Sequence, residues 1–213
     1  MNSKTKNLVL LAMLAAVAYL AVTLIRIPVV LFLNYEPKDV IITIAGFLMG
    51  PLASLVIAFL VALLEMFSFS TTGIIGAIMN LLSTAAFACT AAWIYKRKHN
   101  LNGAILGLLS GAVTMITVMM LWNWLITPLY MGVDRQTVTG MLVPVFLPFN
   151  ALKAGFNSAL TLALYKPLVG ALRKTGLVEP STKKSSSLVG VYILAGAILI
   201  TCILFLLVMQ GKL

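Results

Sequence analysis

Residues 149–157 read Phe149-Asn150-Ala151-Leu152-Lys153-Ala154-Gly155-Phe156-Asn157. They lie inside an apolar run, from about Val145 to Tyr165, that is long enough to cross a bilayer as a helix. Asn150, Lys153 and Asn157 are spaced i, i+3, i+7, which places them on one helical face. A lysine at the centre of a membrane helix costs at least about 2.5–3.5 kcal/mol, so it usually faces a bundle interior or a wet cavity. The stripe predicts either a polar binding site or interhelical hydrogen bonds that join helices.

The composition indicates a polytopic membrane protein. Of the 213 residues, 62% are hydrophobic and 9% are charged, whereas a soluble domain carries about 25% charged residues. The apolar runs are continuous rather than alternating, which favours helices over a closed barrel. The net charge is +10, but the basic residues lie in short loops and tails rather than in a patch interleaved with aromatics, so no nucleic-acid partner is predicted. Cys89 and Cys202 lie within apolar runs and are expected to be buried and unpaired.

The fold class predicted is an all-α integral membrane protein. Residues 1–172 are expected to form a six-helix membrane domain, 173–187 a polar, basic linker on the cytoplasmic side, and 188–213 an extra C-terminal transmembrane helix that faces lipid. The seven helices run approximately over Leu8–Ile25, Asp39–Met49, Leu52–Phe67, Ile74–Tyr95, Asn102–Tyr130, Val145–Tyr165 and Leu188–Met209.

The segment between the first two helices has an unusual pattern. Pro28 and Pro37 bracket it, its centre at 29–33 is apolar, and Tyr35, Glu36 and Lys38 follow. Such a segment either folds back as a lid over a cavity or rests at the headgroups as an interfacial loop.

The distribution of basic residues predicts a cytoplasmic N-terminus, because cytoplasmic segments carry an excess of Lys and Arg. With that orientation Glu36 and Asp39 lie outside or at the outer edge, and Glu65, Asn123 and Asn150 lie toward the outer leaflet. This layout is typical of a pocket loaded from outside. The inner segments would hold Lys4, Lys6, Lys96, Arg97, Lys98, Lys166, Arg173, Lys174, Lys183 and Lys184, and the outer ones only Arg26, Lys38, Arg135 and Lys212.

Amide side chains in such a pocket would suit a flat heterocycle, because they offer both donors and acceptors, and aromatic neighbours would suit its faces. Glu36 and Glu65 could share hydrogen bonds with hydroxyl groups, and Asn123 could line the cavity mouth.

The sequence has no phosphate-binding loop and no metalloprotease or hydrolase motif. Ala12 and Ala16 form a small-xxx-small pair that lets another helix approach closely. We therefore expect a binding subunit, neither an enzyme nor a cofactor protein, that takes its energy from a partner; a small membrane enzyme and a purely structural subunit remain the alternatives.

Several motifs resemble the substrate-binding S components of energy-coupling factor (ECF) vitamin transporters, most closely the riboflavin-specific type. The resemblance runs from about Asn7 to Leu172. The motifs that carry it are Ala12-Met13-Leu14-Ala15-Ala16, Tyr35-Glu36-Pro37-Lys38-Asp39, Ala45-Gly46-Phe47-Leu48-Met49-Gly50-Pro51, Gly76-Ala77-Ile78-Met79-Asn80-Leu81-Leu82-Ser83-Thr84 and Pro148-Phe149-Asn150-Ala151-Leu152-Lys153.

The resemblance implies a six-helix S component in a prokaryotic cell membrane, with riboflavin as its transported substrate. It implies that Asn80, Asn150, Lys153 and Asn157 contact the ligand, and that a gate contains or adjoins Glu36, Lys38 and Asp39. It also implies that Ala12 and Ala16 dock onto a transmembrane T subunit, which connects the S component to two cytoplasmic ATPases. An S component for another vitamin or heterocyclic solute is the alternative within this class.

Overall fold

The computed structural model of the chain describes residues 3–68, 72–175 and 189–211. Its elements in chain order are α1 (Ser3–Leu24), β1 (Ile27–Val30), β2 (Leu33–Tyr35), α2 (Lys38–Met49), α3 (Pro51–Ser68), α4 (Gly73–Arg97), α5 (Leu101–Leu125), α6 (Thr127–Met131), α7 (Arg135–Met141), a π-helical turn (Leu142–Phe146), α8 (Leu147–Lys174) and α9 (Val189–Met209). The helical membrane fold is confirmed. The predicted linker lies outside the described residues, Lys183 and Lys184 included, except for 173–175, where α8 ends; Lys212 also lies outside them.

The segment between α1 and α2 is an antiparallel hairpin of β1 and β2, which the sequence did not predict. Its strands pair Ile27 with Tyr35, Pro28 with Asn34 and Val30 with Leu33. Hairpins of this kind usually place glycine or asparagine where the turn needs a positive φ, and here Leu31 takes that position with a φ of 51°. The pattern lacked the turn signal by which a hairpin is recognised.

The predicted fifth helix is interrupted, and the segment between it and the next predicted helix is largely helical. α5 ends at Leu125 and α6 begins at Thr127, because Pro128 has no N–H to donate and its ring disfavours a continuous helix. Asp134 then caps α7, since its carboxylate accepts a hydrogen bond of 3.1 Å from the Thr137 N–H. An aspartate at this position is a preferred helix start.

Within the described residues, six helices are long and apolar enough to span a membrane: α1, α3, α4, α5, the α7–α8 segment and α9. α2 is shorter, since its 12 residues cover about 18 Å, against a hydrocarbon thickness of about 30 Å. It packs against α1, α3, α4 and α8 and is buried along most of its length. α2 is thus a central helix of the bundle.

The placement of α2 corrects the prediction that Asp39 lies outside or at the outer edge and that Lys38 belongs to an outer segment. A Cβ atom built on Gly50, just after α2, would lie 4.0 Å from the Lys96 ammonium near the end of α4. At the other end of α2, Asp39 bonds to Thr84, which lies midway along α4. Lys38 and Asp39 are therefore buried inside the bundle rather than at its outer edge.

The core contains a very close contact between α4 and α5. A Cβ atom on Gly107 would lie 2.7 Å from the Ala91 carbonyl oxygen, and one on Gly111 would lie 2.6 Å from the Phe87 carbonyl oxygen. Small residues four apart allow helix backbones to approach in this way in membranes. This contact fixes the spacing of two helices that carry predicted site residues.

Candidate functional site

A cleft lies between the hairpin and three helices. It encloses about 590 Å³ when the open solvent at its mouth is included. The hairpin segment, α4, α5 and α8 all contribute. Its lining is formed by Arg26, Phe32, Leu33, Asn34, Glu36, Thr72, Met79, Asn80, Ser83, Met119, Asn123, Phe149, Asn150 and Lys153.

The hairpin folds back over the bundle, as a lid would. Phe32 in its turn meets the Tyr130 ring edge-on at a centroid distance of 5.3 Å and lies 6.5 Å from the Phe146 ring. Tyr35 packs against Phe156 of α8 at 4.8 Å. These aromatic contacts hold the turn and the end of β2 against the bundle beside the cleft, and the hairpin forms one wall of the site.

One chain of ionic contacts joins the hairpin to α2 and α3. The Arg26 guanidinium lies 2.9 Å from one Glu36 oxygen, and the Lys38 ammonium lies 2.7 Å from the other. Lys38 also contacts both oxygens of Glu65, at 2.5 and 2.6 Å. Asn80 donates a bond of 3.0 Å to Glu65, which extends the chain to α4 and to the cleft wall.

A second chain is centred on Asp39. The Lys153 ammonium lies 3.1 Å from Asp39 Oδ2, and the Asn157 amide donates to the same oxygen at 3.1 Å. The Thr84 hydroxyl donates to Oδ1 at 2.6 Å, and Lys153 also donates to Ser83 at 3.2 Å. The first turn of α2 is therefore tied to α4 and α8 at the base of the cleft.

These six ionisable side chains balance in charge: Arg26, Lys38 and Lys153 against Glu36, Asp39 and Glu65. Buried charges are tolerated only when they are paired and hydrogen-bonded, and three of the chain's five acids are used here. Burial alone would raise the pKa of Glu36, but Lys38, Lys153 and Arg26 together hold that pKa below its ordinary value of 4.5. Glu36 is thus kept ionised beside the cleft.

Two asparagines of the cleft are oriented by the helices that carry them. The Asn123 amide donates to the Met119 carbonyl at 2.7 Å, and its oxygen accepts from Thr127 at 2.9 Å. The Asn150 amide donates to the Phe146 carbonyl at 2.7 Å. These bonds fix each side chain in one geometry at the cleft wall.

The structure divides the predicted binding residues into two groups. Those that line the cleft are Glu36, Asn80, Asn123, Asn150 and Lys153. The others lie behind the cleft wall and support it through the ionic chains: Lys38, Asp39, Glu65 and Asn157. Ala12 and Ala16 lie elsewhere, exposed on α1.

Sequence reasoning missed several participants. Asn34 and Ser83 line the cleft, and Thr84 fixes Asp39. The spacing of Asn80, Ser83 and Thr84 (i, i+3, i+4) places them on one face of α4, a signal that could have grouped them. Asn34 offered no comparable signal, because its position depends on the unpredicted hairpin.

Comparison with known proteins identifies the family. The sequence profile described as "ECF transporter, substrate-specific component" matches residues 6–165. The chain belongs to this family. It is a transport family, and the match covers every residue that lines the cleft.

Relatives of this S component carry transporter names. It is 29% identical over 180 residues to the riboflavin transporter RibU of Staphylococcus aureus (strain TCH60), covering 80% of this chain and 94% of the relative. It is 26% identical over 162 residues to the riboflavin transporter FmnP of Bacillus subtilis (strain 168), covering 70% and 85% respectively. A solved structure of the S component of a bacterial ECF transporter superposes with a TM-score of 0.67 at 30% identity, covering 80% of this chain and 99% of that one.

Proposed function

We propose that this S component captures riboflavin from outside the cell, without altering it chemically, and delivers it inward when coupled to partner subunits. The observation that carries the proposal is the cleft under the hairpin, where amide side chains from four separate parts of the chain meet one lysine. These residues are Asn34, Asn80, Asn123, Asn150 and Lys153.

The lining has the chemistry that a flavin requires. An isoalloxazine ring has imide and ring-nitrogen edges, which pair with amides and with an ammonium, and flat faces, which pack on aromatic and thioether side chains. Phe32, Met79 and Phe149 supply such surfaces beside the amides. Both named relatives are riboflavin transporters, which favours riboflavin over the alternative of another vitamin or heterocyclic solute.

The visible absorption spectrum of the detergent-purified protein, followed by a fluorescence titration with riboflavin, tests the substrate. We expect flavin bands and saturable quenching at one site per chain. A colourless protein whose titration shows no binding of riboflavin would contradict riboflavin as the substrate. A panel of other vitamins would then be titrated in the same way.

We infer that the partners are an ECF T subunit and two cytoplasmic ATPases, with Ala12 and Ala16 as the docking face on α1. Both alanines are exposed on α1, as a docking face requires, and small residues permit close helix approach. Replacing both with Trp should abolish co-purification of the T subunit while riboflavin binding persists. Loss of riboflavin binding, or retention of the complex, would contradict this role.

The same proposal includes a cytoplasmic N-terminus in the membrane of a prokaryotic cell. Its support is the concentration of basic residues at one end of the bundle, including Lys96 and Arg97 at the end of α4. A Lys4→Cys variant in intact cells should resist a membrane-impermeant maleimide until the cells are opened. Labelling of the variant in intact cells would show that the N-terminus lies outside.

A further inference from the structure

The C-terminal helix α9 contacts the hairpin although it lies outside the region that the family profile matches. That profile ends at residue 165, and α9 covers Val189–Met209. The sequence predicted a lipid-facing helix without a role. Most of its surface is exposed, but one face is covered: Val191, Ala195 and Cys202 are buried.

A hydrogen bond joins the end of α9 to the open edge of the hairpin. The Gln210 amide Nε2 donates to the Pro28 carbonyl of β1 at 2.8 Å. Proline cannot donate to a strand ladder and is confined to edges, so β1 presents an edge there. A polar side chain just beyond an otherwise apolar helix thus has a partner on the hairpin.

The position of α9 is set by close packing on α8. A Cβ atom on Gly155 would lie only 2.5 Å from the Cys202 sulfur, so a larger residue there would have to displace the Cys202 side chain or α9 itself. On both sides of Cys202 along α9, four apolar side chains pack against the cluster that contains Val29, Leu33 and Tyr35 of the hairpin. These side chains are Ile198, Leu199, Leu206 and Met209.

We propose that α9 is a positioning element for the hairpin: the Gln210–Pro28 bond and the apolar contacts hold the hairpin over the cleft and slow the exchange of ligand. The inference rests on the proposed function, in which the cleft binds riboflavin. Weakening α9 should make the hairpin open more often, so both association and dissociation should accelerate. The equilibrium affinity should change less than either rate, which a general loss of stability would not produce.

The experiment compares Gln210→Ala and Gly155→Leu with a matched control, Val208→Ala. Val208 lies near the same end of α9 but is 55% exposed. Stopped-flow quenching of riboflavin fluorescence gives the two rate constants. A ligand-independent readout is the maleimide labelling rate of Val29→Cys introduced into each background, because Val29 is buried in the cluster to which α8 and α9 contribute.

We expect Gln210→Ala to raise both rate constants and the labelling rate by about 2- to 10-fold, the range expected for one net hydrogen bond. Gly155→Leu should raise them more, and Val208→Ala should leave them unchanged. Gln210→Ala changes no core residue. If its labelling and exchange rates equal those of the control, the proposal is overturned. If the wild-type chain does not bind riboflavin, the proposed function fails, and the labelling rates alone decide whether α9 holds the hairpin.

Discussion

Lys153 of α8 and Asp39 of α2 form an ion pair at the base of the cleft, with 3.1 Å between the ammonium and Oδ2. Both side chains are almost fully buried. The lysine therefore has a structural partner as well as a place on the cleft wall. Its removal affects both the stability of the bundle and any ligand in the cleft, and the two effects must be separated.

Lys153→Met should lower the free energy of unfolding by about 3–5 kcal/mol, because it leaves the Asp39 carboxylate buried without its main counter-charge. The double variant Lys153→Met/Asp39→Asn should be less destabilised than the sum of the two single variants. Reversible unfolding in mixed detergent gives the free energy of unfolding of all four proteins in this double-mutant cycle. Additive losses would show that the two charges do not interact.

Asn150→Ala provides a cleaner test of ligand contact, since Asn150 is outside both ionic chains. Removing one buried hydrogen-bond partner costs about 1–3 kcal/mol, which corresponds to about 5- to 150-fold in riboflavin affinity. The matched control is Asn102→Ala, at an exposed position at the start of α5, which should leave affinity unchanged. Equal affinity of the two variants in a fluorescence titration would remove Asn150 from the ligand site.

The sequence predicted the helices because each is a long apolar run, and it predicted the polar stripe because Asn150, Lys153 and Asn157 follow helical spacing. Proteins in lipid must satisfy backbone groups within each segment, so such runs leave little choice of structure. The hairpin was not predicted, because its sequence leaves several structures open. Its strands are short, Leu31 gives no turn signal, and its position depends on contacts with α8 and α9.

The pairing of charges could not be predicted either. Glu36, Lys38 and Asp39 are adjacent in sequence, and their number indicated only a polar segment. The distant partners of Lys38 and Asp39 are Glu65, Thr84 and Lys153, which lie on three other helices, and the packing of those helices decides which groups meet. Periodicity locates residues on a helix face but does not identify the facing helix.

Gly107→Ala should destabilise the bundle by about 1–3 kcal/mol through overpacking, since the new Cβ would lie 2.7 Å from the Ala91 carbonyl oxygen. A backbone atom cannot move aside as the end of a flexible side chain can. Gly196→Ala is the control, because nothing lies within 4 Å of its added Cβ. That variant should be neutral or gain stability from the higher helix propensity of alanine. The thermal unfolding midpoint of Gly107→Ala should therefore fall, whereas that of Gly196→Ala should stay unchanged or rise. Equal shifts of the two midpoints would contradict the close contact between α4 and α5.

Leu31→Asn should stabilise the hairpin. The side chain of Leu31 is 59% exposed, so little packing is lost, while its φ of 51° lies in a region that asparagine tolerates better than leucine. The labelling rate of Val29→Cys should fall in this variant, as the hairpin opens less often. An increased rate would show that Leu31 holds the hairpin by contacts rather than straining it.

The ionisation of Glu36 predicts a dependence of stability on pH. Its pKa is lower in the folded protein than the ordinary value of 4.5, because Lys38, Lys153 and Arg26 outweigh the effect of burial. A carboxyl group with a depressed folded pKa contributes stability above its unfolded pKa and loses that contribution as pH falls through the folded pKa. The wild-type protein should therefore keep this contribution at neutral pH and lose it below about pH 4.5, the unfolded value.

Glu36→Gln isolates this effect from the other carboxyl groups, because glutamine keeps the shape and cannot ionise. The variant should be less stable than the wild type at pH 7, since Arg26 and Lys38 lose a charged partner. Thermal unfolding from pH 7 to pH 3 should then show the two midpoints converging as the wild-type carboxylate takes up its proton. A constant difference between them across that range would mean that Glu36 gains no stabilisation from its basic neighbours, and that the first ionic chain does not anchor the hairpin.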